Sequence, residues 1–292
     1  MKVHLVDGTY ELFRYHFALP SHMTTSGMEV AATRGMVGTC LQLLESGATH
    51  VGIATDHVIE SFRNDMWPGY KTSAGMPPDL LGQFELAEEA LVACGFVVFP
   101  MVEFEADDAM AAAAAIAADD PEVDQVIICT PDKDLGQCVV GDRVVQLDRR
   151  RELLIDEQGV IDKFGVGPSS IPDYLAVVGD TADGFPGLAG WGAKSASAVL
   201  ARYEHLEAIP PLAADWDVSV RGAGKLAKTL VDDLELALLF RRIATVERDA
   251  PTISSVDELE WTGPGPDFVE ICGRLDATGL LERAVRLAEA RR

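Results

Sequence analysis

The chain has 292 residues, 48% of them hydrophobic, enough for one large domain or one domain with a smaller appendage. No signal-peptide pattern follows Met1-Lys2, and the longest apolar run, residues 109–118, is too short to span a bilayer, so a cytoplasmic protein with no membrane partner is expected. The net charge of −23, from 24 basic and 47 acidic residues, argues, taken alone, against a nucleic-acid partner, because phosphate contacts need Lys and Arg.

Short apolar runs that end in acids or turns predict strands at 3–6, 51–54, 96–99, 125–129 and 144–147. Helical spacing predicts helices at 31–45, 78–93 and 107–118. Strands of uninterrupted Val and Ile alternating with helices indicate an α/β fold, a mostly parallel central sheet flanked by helices. Residues 57–77 mix aromatics, bases, Gly and Pro without periodicity and read as an exposed, mobile segment. From about Asp156 the pattern turns helical, with a Gly-rich stretch at 187–194 just before a helix at 195–203, and further helices in 225–248 and 267–292. The five cysteines (Cys40, Cys94, Cys129, Cys138, Cys272) form no C-x-x-C pair, which favours buried thiols over a disulfide or a zinc site.

The acids carry the chemistry. Asp7 (HLVDGT), Asp56 (GIATDH), Glu105, Asp107 and Asp108 (FEADDA), Asp132 and Asp134 (TPDKDL), and Asp180 and Asp183 (GDTAD) fall in five groups, most beside a predicted strand end or helix start. Ligands of parallel sheets bind beyond the carboxyl ends of strands, and Glu105 and Asp108, three apart at a helix start, share a face. A single such Asp is more often a turn or helix cap. Acids this concentrated repel one another unless cations lie among them, and hard divalent ions with oxygen ligands, Mg²⁺ or Mn²⁺, are the natural resolution. Two such ions about 3.5–4 Å apart serve in-line attack on a phosphodiester. A metal-dependent nuclease is therefore expected, the bound metals offsetting part of the acidic charge.

The order of blocks carries a resemblance. VDGTYELFR, SFRNDMWPGYK, EADDAM, TPDKDLGQ, the stretch from Phe164 to Ala196 and DDLELALLFRRIATVERDAP resemble the 5′-nuclease family: flap endonucleases and the 5′→3′ exonuclease domain of bacterial DNA polymerase I. The similarity covers residues 1 to about 250, with no polymerase domain following, so a stand-alone member is expected. It implies a nuclease core over 1–155, with a mobile arch at about 57–85, and a helical DNA-binding part over 156–292 containing a helix–hairpin–helix element, all in a single compact monomer.

Carried over by position, the first metal site would use Asp7, Asp56, Glu105, Asp107 and Asp108, and the second Asp132, Asp134, Asp180 and Asp183. The resemblance gives Lys71 and Arg63 catalytic roles, with the Lys71 ammonium stabilising charge at the scissile phosphate; the alternative is an ordinary surface base. Tyr70 would stack on a terminal base, or else pack within the loop. Gly187, Gly190, Gly192 and Lys194 would grip the duplex backbone, with K⁺ held by backbone carbonyls there; Lys225 and Lys228 are weaker candidates, and Trp191 reads as packing. The usual arginine four residues beyond Tyr70 is replaced by Ala74, and Glu60 and Asp65 flank the block, which weakens the expected grip on a free 5′ strand. The implied partner is DNA with a 5′ flap or free 5′ end, RNA-containing ends included. Two other readings stay open: a PIN-type RNA endonuclease, and a non-catalytic DNA-junction-binding protein.

Overall fold

The computed structural model describes residues 1–291. The first half of the chain runs β1 (Lys2–Asp7), α1 (Gly8–Ala18), α2 (Ala31–Glu45), β2 (His50–Asp56), α3 (Arg63–Met66), α4 (Pro78–Ala93), β3 (Val97–Met101), α5 (Ala106–Asp119) and β4 (Gln125–Cys129). Then come β5 (Val144–Asp148), β6 (Leu153–Ile155), α6 (Glu157–Phe164), α7 (Ile171–Val178), α8 (Ala193–Tyr203), α9 (Ala223–Asp232), α10 (Leu234–Ala244), α11 (Phe268–Arg274) and α12 (Thr278–Ala290). Every strand expected from the apolar runs is present, with ends shifted by at most two residues. The last residue of the expected helical stretch, Arg292, lies outside the described residues.

Two compact units form, each from separated stretches of chain. The first takes residues 1–59, 73–130 and 247–292; the second takes 60–72 and 131–246. This division does not follow the expected boundary at 155. The hairpin strands β5 and β6 belong with the helical unit, and the chain after 246 returns to the α/β unit.

In the first unit, β1 pairs in parallel with β2 and β4, and β2 with β3, so Val6 lies opposite both Ile53 and Cys129. Strand β2 is buried along its whole length, as its apolar residues require. Helix α5, almost all alanine on its sheet side, packs across the strands. Gly8 opens α1 where a Cβ would stand 2.8 Å from the Ala54 carbonyl oxygen and 2.6 Å from Met36 Cε, so only glycine lets this helix start against β2. The C-terminal stretch is bound in by Trp261, whose backbone N–H donates to Thr49 O at 2.9 Å and whose Nε1 donates to Cys94 O at 2.8 Å. Arg283 adds paired bonds to Glu45 at 3.0 and 2.9 Å.

In the second unit, β5 and β6 pair antiparallel and the helices enclose an aromatic core. Phe185 stacks on Phe240 with ring centroids 5.4 Å apart, and Trp67 meets Phe240 edge-on at 5.0 Å. Trp191 is packing, as expected: it is buried and its Nε1 donates to Leu226 O at 3.2 Å. Asp173, also buried, accepts from His205 Nδ1 and Arg241, both at 2.9 Å, joining α7 to α10. The five cysteines are all buried. Among the described residues, no helix is long and apolar enough to cross a membrane.

Candidate functional site

The acids of the α/β unit stand where the parallel register puts them, at the carboxyl ends of β1 and β2 and at the start of α5 after β3. Asp7 caps α1 by accepting from Tyr10 N, and its other oxygen accepts from Thr130 Oγ1, both at 2.8 Å. Asp56 is fixed at both ends: its N–H donates to Thr9 Oγ1 at 2.8 Å, and its Oδ1 accepts from Ala106 N at 2.7 Å. An acid at a helix start is favoured by the exposed N–H groups and the dipole. Glu105 is buried and Asp107 half-buried.

Asp108 is fully buried, and its two oxygens accept from Glu105 N at 2.9 Å and Glu247 N at 2.8 Å. These two bonds brace the start of α5 against the returning C-terminal stretch at the residue for which the resemblance implies a metal-ligand role.

The acids of the second unit converge more tightly. In TPDKDL, Asp132 is exposed, and its Oδ1 accepts from Asp134 N at 2.9 Å. Gln146 Nε2 holds the loop through Asp132 O at 2.6 Å. Asp134 opens a 3₁₀ turn, Asp134–Cys138. Asp180 follows α7, its loop closed by backbone bonds with Phe185 at 2.8 and 3.0 Å, and its Oδ1 accepts from Ala182 N at 2.9 Å.

One carboxylate oxygen each from Asp134, Asp180 and Asp183 lies within 4.8 Å of the others. Asp134 Oδ1 is buried with no hydrogen-bond donor. Burial, followed by the charges of Asp132 and Asp183, pushes the Asp134 carboxyl well above the usual carboxylate range, with Lys133 opposing. Lys133 Nζ hydrogen-bonds Asp180 and stands 3.8 Å from Asp134 Oδ1. Burial pulls the Lys133 ammonium down, but the acids outweigh it and leave it raised. A buried, undonated oxygen within a carboxylate trio fits a hard divalent cation, which would satisfy that oxygen and relieve the mutual repulsion. Asp132 stands at the rim of this cluster.

Lys71 reaches the same cluster. Its Nζ is 3.3 Å from Asp183 Oδ1, and its backbone N–H donates to Asp183 O at 3.1 Å. Two turns must nest to allow this: Gly184, at φ +84°, comes so close to Gly69 that a Cβ would lie 2.0 Å from its carbonyl oxygen. Trp67 Nε1 fastens the pair through Gly184 O at 3.0 Å.

Two expectations in this segment need correction. Arg63 is buried, its Nε donating to Ile243 O at 2.8 Å and its NH2 to Thr245 O at 3.1 Å. It serves as a brace to the end of α10, because a planar guanidinium can satisfy several carbonyls at once. Tyr70 is 4% exposed and part of the second unit's core, so no face is open for a base to stack upon. Arg63 and Tyr70 thus anchor a segment whose other residues are half-buried or exposed.

Gly187 is buried, and Gly190 and Gly192 lead into α8, with Gly192 at the N-cap. Lys194, exposed in the first turn, lines a groove of about 520 Å³ with Lys163, Phe164 and Tyr174. Burial, partly opposed by Asp132, pushes the Lys163 ammonium below its ordinary range. Sequence reasoning overlooked Lys163, Thr9, Thr130 and above all Lys133. The available signal for Lys133 was a single base set between two acids in TPDKDL.

Comparison with known proteins agrees with this geometry. The family model for the 5′-3′ exonuclease N-terminal resolvase-like domain matches residues 2–165, and that for the 5′-3′ exonuclease C-terminal SAM fold matches 166–267. DNA polymerase I of Mycobacterium leprae is 33% identical over 262 residues, covering 87% of this chain and 28% of that protein. DNA polymerase I of Pseudomonas aeruginosa is 32% identical over 267 residues, with the same coverage of 87% and 28%. The chain thus spans a little over a quarter of the length of these relatives.

Among solved structures, the bacteriophage T5 D15 protein co-crystallised with metal ions superposes with a TM-score of 0.68 at 18% identity, covering 97% of this chain and all of that one (100%). The catalytic core of Rad2 in complex with a DNA substrate superposes at 0.62 and 15% identity, covering 98% and 92%. These likenesses show the fold. With the two family models matching adjoining stretches over residues 2–267, the chain belongs to the 5′-3′ exonuclease family.

Proposed function

We propose that the chain is a divalent-metal-dependent, structure-specific 5′ nuclease of the cytoplasm. It hydrolyses phosphodiesters of DNA bearing a free 5′ end or a 5′ flap, RNA-containing ends included, in primer removal and repair. The observation that carries this reading is the buried, donor-less Asp134 Oδ1 inside the Asp134–Asp180–Asp183 trio. A hard cation rationalises this arrangement, because it would satisfy the buried oxygen and offset the mutual repulsion. Structural neighbours lend support, since T5 5′-exonuclease binds divalent zinc and the Rad2 core is complexed with DNA substrate.

Asp134, Asp180 and Asp183, with Asp132 at the rim, would hold one Mg²⁺ or Mn²⁺; Asp7, Asp56, Glu105 and Asp107 would hold a second. Such ions neutralise phosphodiester charge and lower the pKa of water. The protein's own groups do the rest. Lys71, set beside Asp183, offers its ammonium to the scissile phosphate as negative charge develops. Gly190, Gly192 and Lys194 at the start of α8 offer backbone N–H groups and a positive charge to the duplex backbone. Recognition follows junction shape and backbone rather than base sequence, which suits an acidic monomer with few bases to spare.

The test compares cleavage of labelled 5′-flap DNA and single-stranded RNA in Mg²⁺, Mn²⁺ and EDTA, with Asp180→Asn as control. Metal-dependent flap cleavage that Asp180→Asn abolishes is expected. Binding of the flap without product in Mn²⁺ would make the chain a junction binder, and faster cleavage of the RNA would make it an RNA endonuclease.

A further inference from the structure

Lys133 has no part in the nuclease reading above, yet it pairs with two members of the acid trio. Its ammonium hydrogen-bonds Asp180 Oδ2 and lies 3.8 Å from Asp134 Oδ1, the buried oxygen that no donor satisfies. Asp180 Oδ1 accepts from Ala182 N, and Lys133 takes the other oxygen, Oδ2. Lys71 reaches Asp183 at 3.3 Å. The Lys133 side chain is 33% exposed, and a flexible four-carbon stem lets an ammonium leave for water without moving the backbone.

We propose that Lys133 is the built-in counter-cation of this cluster: its ammonium balances Asp180 and Asp134 and is exchanged for a divalent cation when one binds. The inference rests on the reading of the trio as a metal site and deepens it. An ammonium has no lone pair to offer a metal and repels one, so the two compete for the same pair of carboxylates at close range. The lysine therefore protects the cation-free fold from carboxylate repulsion and, as the other side of the same exchange, weakens the divalent ion. An ordinary structural ion pair would do only the first. Metal affinity at this cluster is then a difference between two occupants of one position, set by a residue that is not itself a ligand.

The experiment titrates the full chain with Mn²⁺ by electron paramagnetic resonance, and melts it in EDTA and in Mn²⁺. Asp134→Asn identifies which ion belongs to the trio. An opposite charge within about 4–6 Å is worth a factor of ten or more in such an equilibrium. In Lys133→Met, that ion is expected to bind at least about tenfold more tightly. The cation-free melting temperature is expected to fall by about 2–4 °C, and the rise on adding Mn²⁺ to grow.

Lys133→Gln, uncharged but polar, must follow Lys133→Met, whereas Lys133→Arg must keep the cation-free stability of the parent. Unchanged or weaker Mn²⁺ binding in both neutral variants, with the parent still binding the ion that Asp134→Asn removes, overturns the exchange and leaves the metal site standing. If the parent binds no such ion, the metal reading itself fails and the proposal falls with it.

Discussion

Replacing Asp134 by asparagine tests the site through stability rather than catalysis. The substitution keeps the shape and removes one charge. With carboxylate oxygens no more than 4.8 Å apart, each like-charged neighbour costs roughly 3.5 kcal/mol at an effective dielectric constant of about 20. Lys133, at 3.8 Å, returns roughly 4.4 kcal/mol by the same rule. Asp180 and Asp183 together therefore outweigh the lysine, and relief of about 1–3 kcal/mol is expected on removing the Asp134 charge in the absence of divalent ions. That corresponds to a melting temperature several degrees higher in EDTA, at about 2–4 °C per kcal/mol for a chain of somewhat smaller size. In saturating Mn²⁺ the order reverses, because ligand binding stabilises only the form that binds. Paired urea titrations in EDTA and Mn²⁺ read both quantities. A variant less stable than the parent in EDTA, or equally stabilised by Mn²⁺, would refute the claim that this carboxylate is strained without a cation.

Three further perturbations separate braces from ligands. Asp108→Ala leaves the Glu105 and Glu247 N–H groups without their acceptor, at about 1–3 kcal/mol each; a loss of under about 1 kcal/mol in urea unfolding would deny it the bracing role. Arg63→Ala strands the carbonyls of Ile243 and Thr245 and is expected to destabilise by about 3 kcal/mol while leaving Mn²⁺ binding intact; unaltered stability with weakened flap binding would return Arg63 to the substrate. Arg241 holds the Glu207 carboxyl down at about 2, against the opposing effect of burial. A depressed folded value contributes stability above the unfolded pKa, and that stability is lost as pH falls from about 4.5 toward 2. Glu207 is 54% exposed, so the gap between parent and Glu207→Gln should be below about 1 kcal/mol at pH 6 and close by pH 2; a gap that widens in acid would contradict the pairing.

The sheet was legible because its signal is local. Runs of Val and Ile ending in Asp7 and Asp56 declare buried strands and place their acids at the strand ends, and the bounds of α2 and α4 were read without error. Helix α1 escaped because GTYELFRYHFA spreads aromatics around the helix and hides its apolar face, although Asp7 and Glu11 marked its first turn. Strand β6 is three residues long with two of them exposed, too short for any period. Within the site, acid identity was readable but partnership was not. Lys133 meets Asp180 across 47 positions of sequence, and Arg63 meets Ile243 across 180. Long-range partners of this kind decide whether a base is a brace, a counter-charge or a substrate contact, and no spacing rule encodes them.

The interleaving of the two units constrains how such a protein can be dissected. Neither is a continuous stretch, since the α/β unit needs 247–292 and the helical one needs 60–72. A cut at 155 would yield an amino-terminal fragment lacking Glu247, Trp261 and Arg283, and a carboxyl-terminal fragment lacking Arg63, Lys71 and the whole TPDKDL loop. Each piece would carry an incomplete share of both units. A transplanted α/β part would therefore have to carry the stretch after 246 together with 1–59 and 73–130, and a transplanted helical part would have to carry 60–72.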